Sequence, residues 1–340
     1  MTGIQLHGGA PGSLVGTMFA FLIPSTAPLW LDFAGLLVSL VVLAISGDQF
    51  VIALARISAS MRVRPTVAAA LVGGLGTSIA ELIVAGVAAA KSPSLAIGSL
   101  VGSIVANVCL ALAAAALIIP LKVDSATVRR EAPISVASVV LFAILAAGGV
   151  TMAKGLVMLV ALGVAVAALL LGQRHRRADP LGSEMAEFAA TKTRRSTVES
   201  VRAIGMLAFM LGGAELMVSS SLGVARHLGF SDGLAGLTLV GIGTSAPLIA
   251  ASIQAARKGQ HDLVVGNVLG GNLFIALAGG SVVGFFASGK SVHVGDVALV
   301  LMTVVVTASW LAMARGATLR RSEAIVLVLA FAVCLPFVNR

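Results

Sequence analysis

The chain reads as a succession of long apolar runs separated by short polar breaks. Ten runs are near the ~20 residues that a helix needs to cross a bilayer. They are 33–55, 66–90, 94–119, 132–149, 151–171, 201–222, 233–256, 264–287, 294–313 and 323–339. Each predicts a membrane helix. Leu14–Ile23 is apolar but short, and Pro24 and Pro28 follow it, so residues 1–32 read as an interfacial lead-in. The longest polar segment, within 172–200, carries Arg174, Arg176, Arg177, Lys192, Arg194 and Arg195. It divides five runs from five. The expected fold is an all-α polytopic membrane protein, with five helices in 33–171, a basic cytoplasmic linker over 172–200 and five helices in 201–340.

Composition agrees with the pattern. Of 340 residues, 58% are hydrophobic and 11% charged. Soluble domains carry roughly 25% charge, so a soluble globule is excluded, as are disorder and a disulfide scaffold. The net charge is +9. Its distribution points to membrane orientation rather than to nucleic acid. Loops after odd-numbered runs hold 18 Lys and Arg residues; loops after even-numbered runs hold four, Lys91, Lys154, Arg226 and Lys290. Basic loops stay cytoplasmic, so both termini are expected outside the cytoplasm. No Lys or Arg precedes Arg56, which argues against a cleaved signal peptide. Cys109 and Cys334 lie in apolar runs and read as small apolar residues. Arg in excess of Lys, with abundant Ala and Gly, points to a prokaryotic inner (plasma) membrane protein.

The two halves resemble each other. Gly76-Thr77-Ser78 recurs as Gly243-Thr244-Ser245 at an offset of 167, which also relates Asp48 to Glu215 and Lys91 to Lys258. Gly98 and Gly102 match Gly266 and Gly270 at 168. An odd number of helices per half turns the second half upside down. Such inverted repeats place a binding site near the bilayer midplane.

Glu81 is the first candidate for chemistry. It stands in Val72–Ala90, which is otherwise uncharged. A carboxylate at that depth costs a few kcal/mol or more unless it meets a cavity, a partner or an ion. Gly76-Thr77-Ser78 precedes it by one turn. Glycine permits a helix break that would free carbonyls and expose hydroxyls, the hard oxygen donors that Na⁺ and Ca²⁺ prefer. The plainer reading is that Thr77 and Ser78 bond back to their own helix. On the next run Ser103 and Asn107 share one helical face, and Gly98 and Gly102 share another suited to close packing.

A Gly-Thr-Ser-x-x-Glu helix followed by Gly98-Ser99-x-x-Gly102-Ser103-x-x-x-Asn107, with second copies at Gly243-Thr244-Ser245 and Gly266-Asn267-x-x-Gly270-Gly271-Asn272, resembles the alpha repeats of the calcium:cation antiporter superfamily. That superfamily includes the sodium/calcium exchangers, and the resemblance spans nearly the whole chain. It implies an ion site from Thr77, Ser78, Glu81, Ser103 and Asn107, with Thr244, Ser245, Asn267 and Asn272 as polar survivors of the second copy. Glu81, Thr77 and Asn107 would be the principal cation ligands. The second copy departs from the pattern: its acid falls on Leu248, its serine on Gly271 and its following Asn or Asp on Ile275. The first copy has Ala80, Ser99 and Ile104 at three usual Pro and Asn positions.

The expected function is therefore secondary cation antiport by alternating access, with helices 1 and 6 moving against the rest. Ca²⁺ takes six to eight oxygens and considerable negative charge. A lone desolvated carboxyl suits one monovalent cation or a proton better, which shifts the expected ions from Ca²⁺ toward Na⁺ and H⁺. The alternative is a non-transporting binding or regulatory protein on the same scaffold. Asp48 and Glu215 are secondary candidates, either for helix register or for an ion vestibule. His261 and Asp262 read as a solvated loop. No P-loop, catalytic triad, zinc spacing or nucleic-acid motif is present. The chain is thus expected to be no enzyme, with no cofactor and no nucleotide or nucleic-acid partner. Its partners would be inorganic cations and the lipid bilayer; the sequence leaves oligomeric state open.

Overall fold

The structure, a computed structural model, describes residues 27–60, 65–123, 127–173, 196–287, 296–316 and 318–334, with the backbone alone over 65–77. The lead-in through Thr26, most of the basic linker and the loop holding Lys290 lie outside the described residues.

A helix lies in each of the ten apolar stretches as far as they are described. Helix α1 is Leu29–Ser60, starting ahead of the first stretch, and α2 is Pro65–Lys91. Helix α3 is Pro93–Ile118, with a π turn at Asn107–Leu112. Strand β1, Leu121–Lys122, and a π turn at Thr127–Glu131 precede α4, Ala132–Ala146. Helix α5 is Met152–Gln173 and α6 is Ser196–Leu228. Helix α7 is Asp232–Arg257, with a π turn at Gly236–Val240. Helix α8 is His261–Phe286, with a π turn at Ile275–Gly279. Helix α9, Asp296–Gly316, is followed by strand β2, Thr318–Leu319, and by α10, Arg321–Cys334. Among the described residues seven helices are long and apolar enough to cross a membrane.

Element starts repeat along the chain. Helices α1 and α6 begin 167 residues apart, as do α2 and α7. The starts of α3 and α8 are 168 apart, and so are the first residues of their π turns, Asn107 and Ile275.

Helices α3 and α8 form the core. Their most apolar windows are 78% buried, against 17% for α5, whose Leu156, Val160 and Val164 face outward. Apolar side chains on that outer surface suit lipid, since backbone polar groups are satisfied within the helices. Helix α3 lies against α7 with backbones nearly touching. A Cβ on Gly98 would overlap the carbonyl of Gly233, and one on Gly102 would overlap that of Leu237. Small residues let membrane helices approach this closely, where dispersion and polar contacts replace the missing hydrophobic drive. The starts of α3 and α7 are also tied: Ser92 caps α3 and donates to Asp232 at 2.6 Å.

Helices α1 and α6 make the most extensive pairing in the fold and run antiparallel. Asp32 at the start of α1 meets His227 at the end of α6, with 3.6 Å between Oδ2 and Nε2. At the other end Glu199 of α6 accepts from Arg56 of α1 at 2.9 Å and lies 3.6 Å from Arg202. Asp32 and Glu199 are buried and also 167 apart. Each places negative charge in a helix first turn, where the macrodipole favours it. Two short strands close one end of the core, with Leu121 opposite Leu319 and Lys122 opposite Thr318. The α4–α5 connection turns on Gly148 and Gly149, both at positive φ, and Lys154 donates to the carbonyls of Ala147 and Gly149.

Candidate ion site

Glu81 sits on α2 one turn beyond Ser78 and is 3% exposed. Its Oε2 is buried and has no hydrogen-bond partner. Residues three apart on a helix share a face. Ser78 shows where that face points, since its Oγ donates to the carbonyl of Gly271 on α8 at 3.4 Å. Helix α2 runs unbroken through Gly73, Gly74 and Gly76, contrary to the expected break. The backbone is loosened elsewhere, in the π turns that begin at Asn107 and Ile275 and in the one at Gly236–Val240. A π turn widens one helical turn and tends to sit at functional positions.

Facing polar groups from α3, α7 and α8 converge. Ser103 Oγ lies 3.1 Å from Thr244 Oγ1 and 3.3 Å from the carbonyl of Gly241. Ser245 Oγ donates to the Ser103 carbonyl at 3.5 Å. Asn107 Nδ2 donates to Asn272 Oδ1 at 3.0 Å, and Asn272 Nδ2 donates to the Ile104 carbonyl at 3.4 Å. Asn107 Oδ1 is buried without a partner. Two unsatisfied buried acceptor oxygens, one of them a carboxylate oxygen, are costly unless a proton or a cation meets them.

The structure therefore pairs these residues across three helix contacts: Ser103 with Thr244 and Ser245 between α3 and α7, Asn107 with Asn272 between α3 and α8, and Ser78 with the Gly271 carbonyl between α2 and α8, with Glu81 one turn from Ser78 on α2. Thr77 lies on α2, but its side chain is outside the described residues. Thr244 also bonds back to the Val240 carbonyl of its own helix at 3.0 Å, whereas Ser78, expected to do so on the plainer reading, reaches across to α8. Asn267 stands apart, half-buried on α8, with no side-chain hydrogen bond to another described residue. Leu248 and Ile275, where the second copy departs from the resembled motif, are both buried, 6% and 0% exposed. Gly271, read from sequence as a lost serine, still offers its carbonyl to Ser78. Neither α3 nor Gly241–Arg257 of α7 carries an acid, and the acid of α8, Asp262, lies at its start.

The secondary acids part company. Glu215 is buried and accepts from Lys91, which also donates to Ser219 at 3.0 Å. Asp48 is exposed. His261 and Asp262 begin α8 instead of lying in a loop, and His261 Nδ1 is buried. Sequence reading passed over Ser220 and Ser221 of α6, both fully buried with unpartnered hydroxyls. The available signal was three successive serines in an apolar helix.

Comparison with known proteins fits this architecture. The sodium/calcium exchanger protein family matches residues 31–171 and 201–339. The antiporter candidate CaxA of Alkalimonas amylolytica is 35% identical over 247 residues, covering 71% of this chain and 76% of its own. The inner membrane protein YrbG of Escherichia coli is 32% identical over 252 residues, covering 70% and 75%. Sodium/calcium exchanger MaX1 of Methanosarcina acetivorans is 28% identical over 283 residues, covering 71% and 79%. Among solved structures, the sodium–calcium exchanger NCX_Mj superposes with a TM-score of 0.62 at 24% identity, covering 91% of this chain and 99% of that one. That likeness shows a shared polytopic helical fold. This chain belongs to the sodium/calcium exchanger family.

Proposed function

We propose that the protein is a secondary cation antiporter of the prokaryotic inner membrane, built from two inverted five-helix repeats that alternate access to a site on Glu81. The observation that carries the reading is the unpartnered buried Oε2 of Glu81, beside an interlocked set of neutral oxygens from both halves. The antiparallel α1–α6 pair and the repeated helix starts support the inverted arrangement.

The ion class follows from charge. Two carboxylates neutralise a divalent cation, whereas one leaves a net positive charge at low dielectric, where charges interact strongly. With Leu248 in place of the second acid, Glu81 balances one monovalent cation or holds one proton. Ser78, Ser103, Thr244, Asn107 and Asn272 would supply neutral oxygens, and exclusive occupancy of one carboxylate by Na⁺ or H⁺ couples their movements in opposite directions. No nucleotide is involved; an ion gradient drives exchange. His261 and Asp262 stay outside this scheme, and the basic linker faces the cytoplasm.

Purified protein in liposomes tests this directly. With a trapped pH dye, an imposed Na⁺ gradient should move protons in the wild type and not in Glu81→Gln. A parallel arm measures ⁴⁵Ca²⁺ uptake under the same gradient. Calcium uptake lost in Glu81→Gln would keep the antiport reading and overturn the ion class. Folded protein that moves nothing in either arm would favour a non-transporting scaffold.

A further inference from the structure

Helices α2 and α7 reach equivalent lysines, Lys91 and Lys258, and α1 and α6 carry equivalent acids, Asp48 and Glu215. The contact equivalent to Lys91 with Glu215 is Lys258 with Asp48. Only the first is formed: Lys91 Nζ donates to Glu215 Oε1 and to Ser219 Oγ. Lys258 and Asp48 are both exposed and make no ion pair among the described residues.

A second asymmetry runs in the same direction. On α3, beside Lys91, Gly98, Ser99 and Gly102 are buried against α7. On α8, beside Lys258, the equivalent Gly266, Asn267 and Gly270 are partly exposed. The buried one of these two equivalent faces thus goes with the paired lysine, and the partly exposed one with Lys258.

We propose that Lys91–Glu215 and Lys258–Asp48 are alternating latches between the α1–α6 pair and the central helices. Each holds one face shut, and one opens as the other forms. The inference rests on the alternating-access reading above. Inverted repeats exchange conformations when the transporter turns to the other side, so the contact made by one half passes to the other. The pair between Lys91 and Glu215 is partly exposed, which keeps each latch weak enough to break in every cycle. A stronger, dehydrated pair would trap one state.

The test reads conformation and not transport. In full-length protein with Cys109→Ser and Cys334→Ser, a single reporter is introduced, Ser99→Cys or Asn267→Cys. Its rate of reaction with a maleimide is measured in liposomes without any ion gradient. Lys91→Ala should raise labelling at position 99 by about threefold and lower it at 267, as expected for loss of one partly exposed ion pair. Lys258→Ala should do the reverse. Glu215→Gln and Asp48→Asn should repeat the two signs, which keeps the test open if one lysine variant misfolds. The exchange Lys91→Glu with Glu215→Lys should restore the wild-type rates. Lysine variants that move both reporters alike, or move neither, would overturn the latch. Opposite shifts in a protein that moves no cation would leave the latch standing and remove the transport reading.

Discussion

At the scale of single residues, the decisive contrast is between Glu81 and Leu248. Both occupy the acid position of the repeated motif, and both are buried. Only one can balance a cation. Leu248→Glu should therefore gain divalent binding. Equilibrium dialysis with ⁴⁵Ca²⁺ should show affinity raised by about tenfold or more, since a second buried carboxylate need add only ~1.4 kcal/mol of differential attraction for that change. Glu81→Gln in the same background should abolish the gain. The candidate neutral oxygens were legible as residue types in a repeated motif. Their pairing was not: Asn107 meets Asn272 although the two are not repeat equivalents.

At the scale of elements, helix approach depends on which glycines face a backbone. Gly102 packs on Leu237, and its Cβ would overlap backbone that cannot yield. Gly102→Val should therefore lower the midpoint of thermal unfolding sharply, because overpacking costs about 1–3 kcal/mol or more. A methyl group on Gly163 of α5 would meet nothing within 4 Å. Gly163→Ala should instead be neutral or stabilising by up to about 1 kcal/mol, the helix-propensity difference. Size-exclusion chromatography after heating would separate the two cases. The sequence marked both as glycines in apolar runs; only the crossing of α3 and α7 distinguishes them. It also suggested a break at Gly76, whereas α2 runs unbroken there and the π turns lie in other helices, at Asn107–Leu112 of α3 and Ile275–Gly279 of α8.

At the scale of the whole molecule, two halves are held as one body along α1 and α6 by contacts at both ends. Glu199 is 1% exposed and bonds Arg56 while facing Arg202. Glu199→Gln leaves two guanidiniums without their shared counter-charge. Removing a charge-assisted bond should cost about 1–3 kcal/mol, seen as a lower midpoint on heating. Asp48→Asn, at an exposed acid without an ion pair among the described residues, should leave that midpoint unchanged.

The order of apolar runs, the basic linker, the repeated Gly-Thr-Ser and the acid Glu81 in the otherwise uncharged Val72–Ala90 were determined by the sequence alone. Lipid admits only apolar helices with satisfied backbones, so hydropathy leaves little choice of fold class. Which groups meet across the halves was decided only by tertiary structure. Asn107 with Asn272, Ser78 with the Gly271 carbonyl and Lys91 with Glu215 each join residues more than 120 positions apart. The equivalence of Lys91 and Lys258 was visible as an offset. Why one is paired and the other exposed was not, because an offset in sequence relates positions and says nothing of which contacts those positions make.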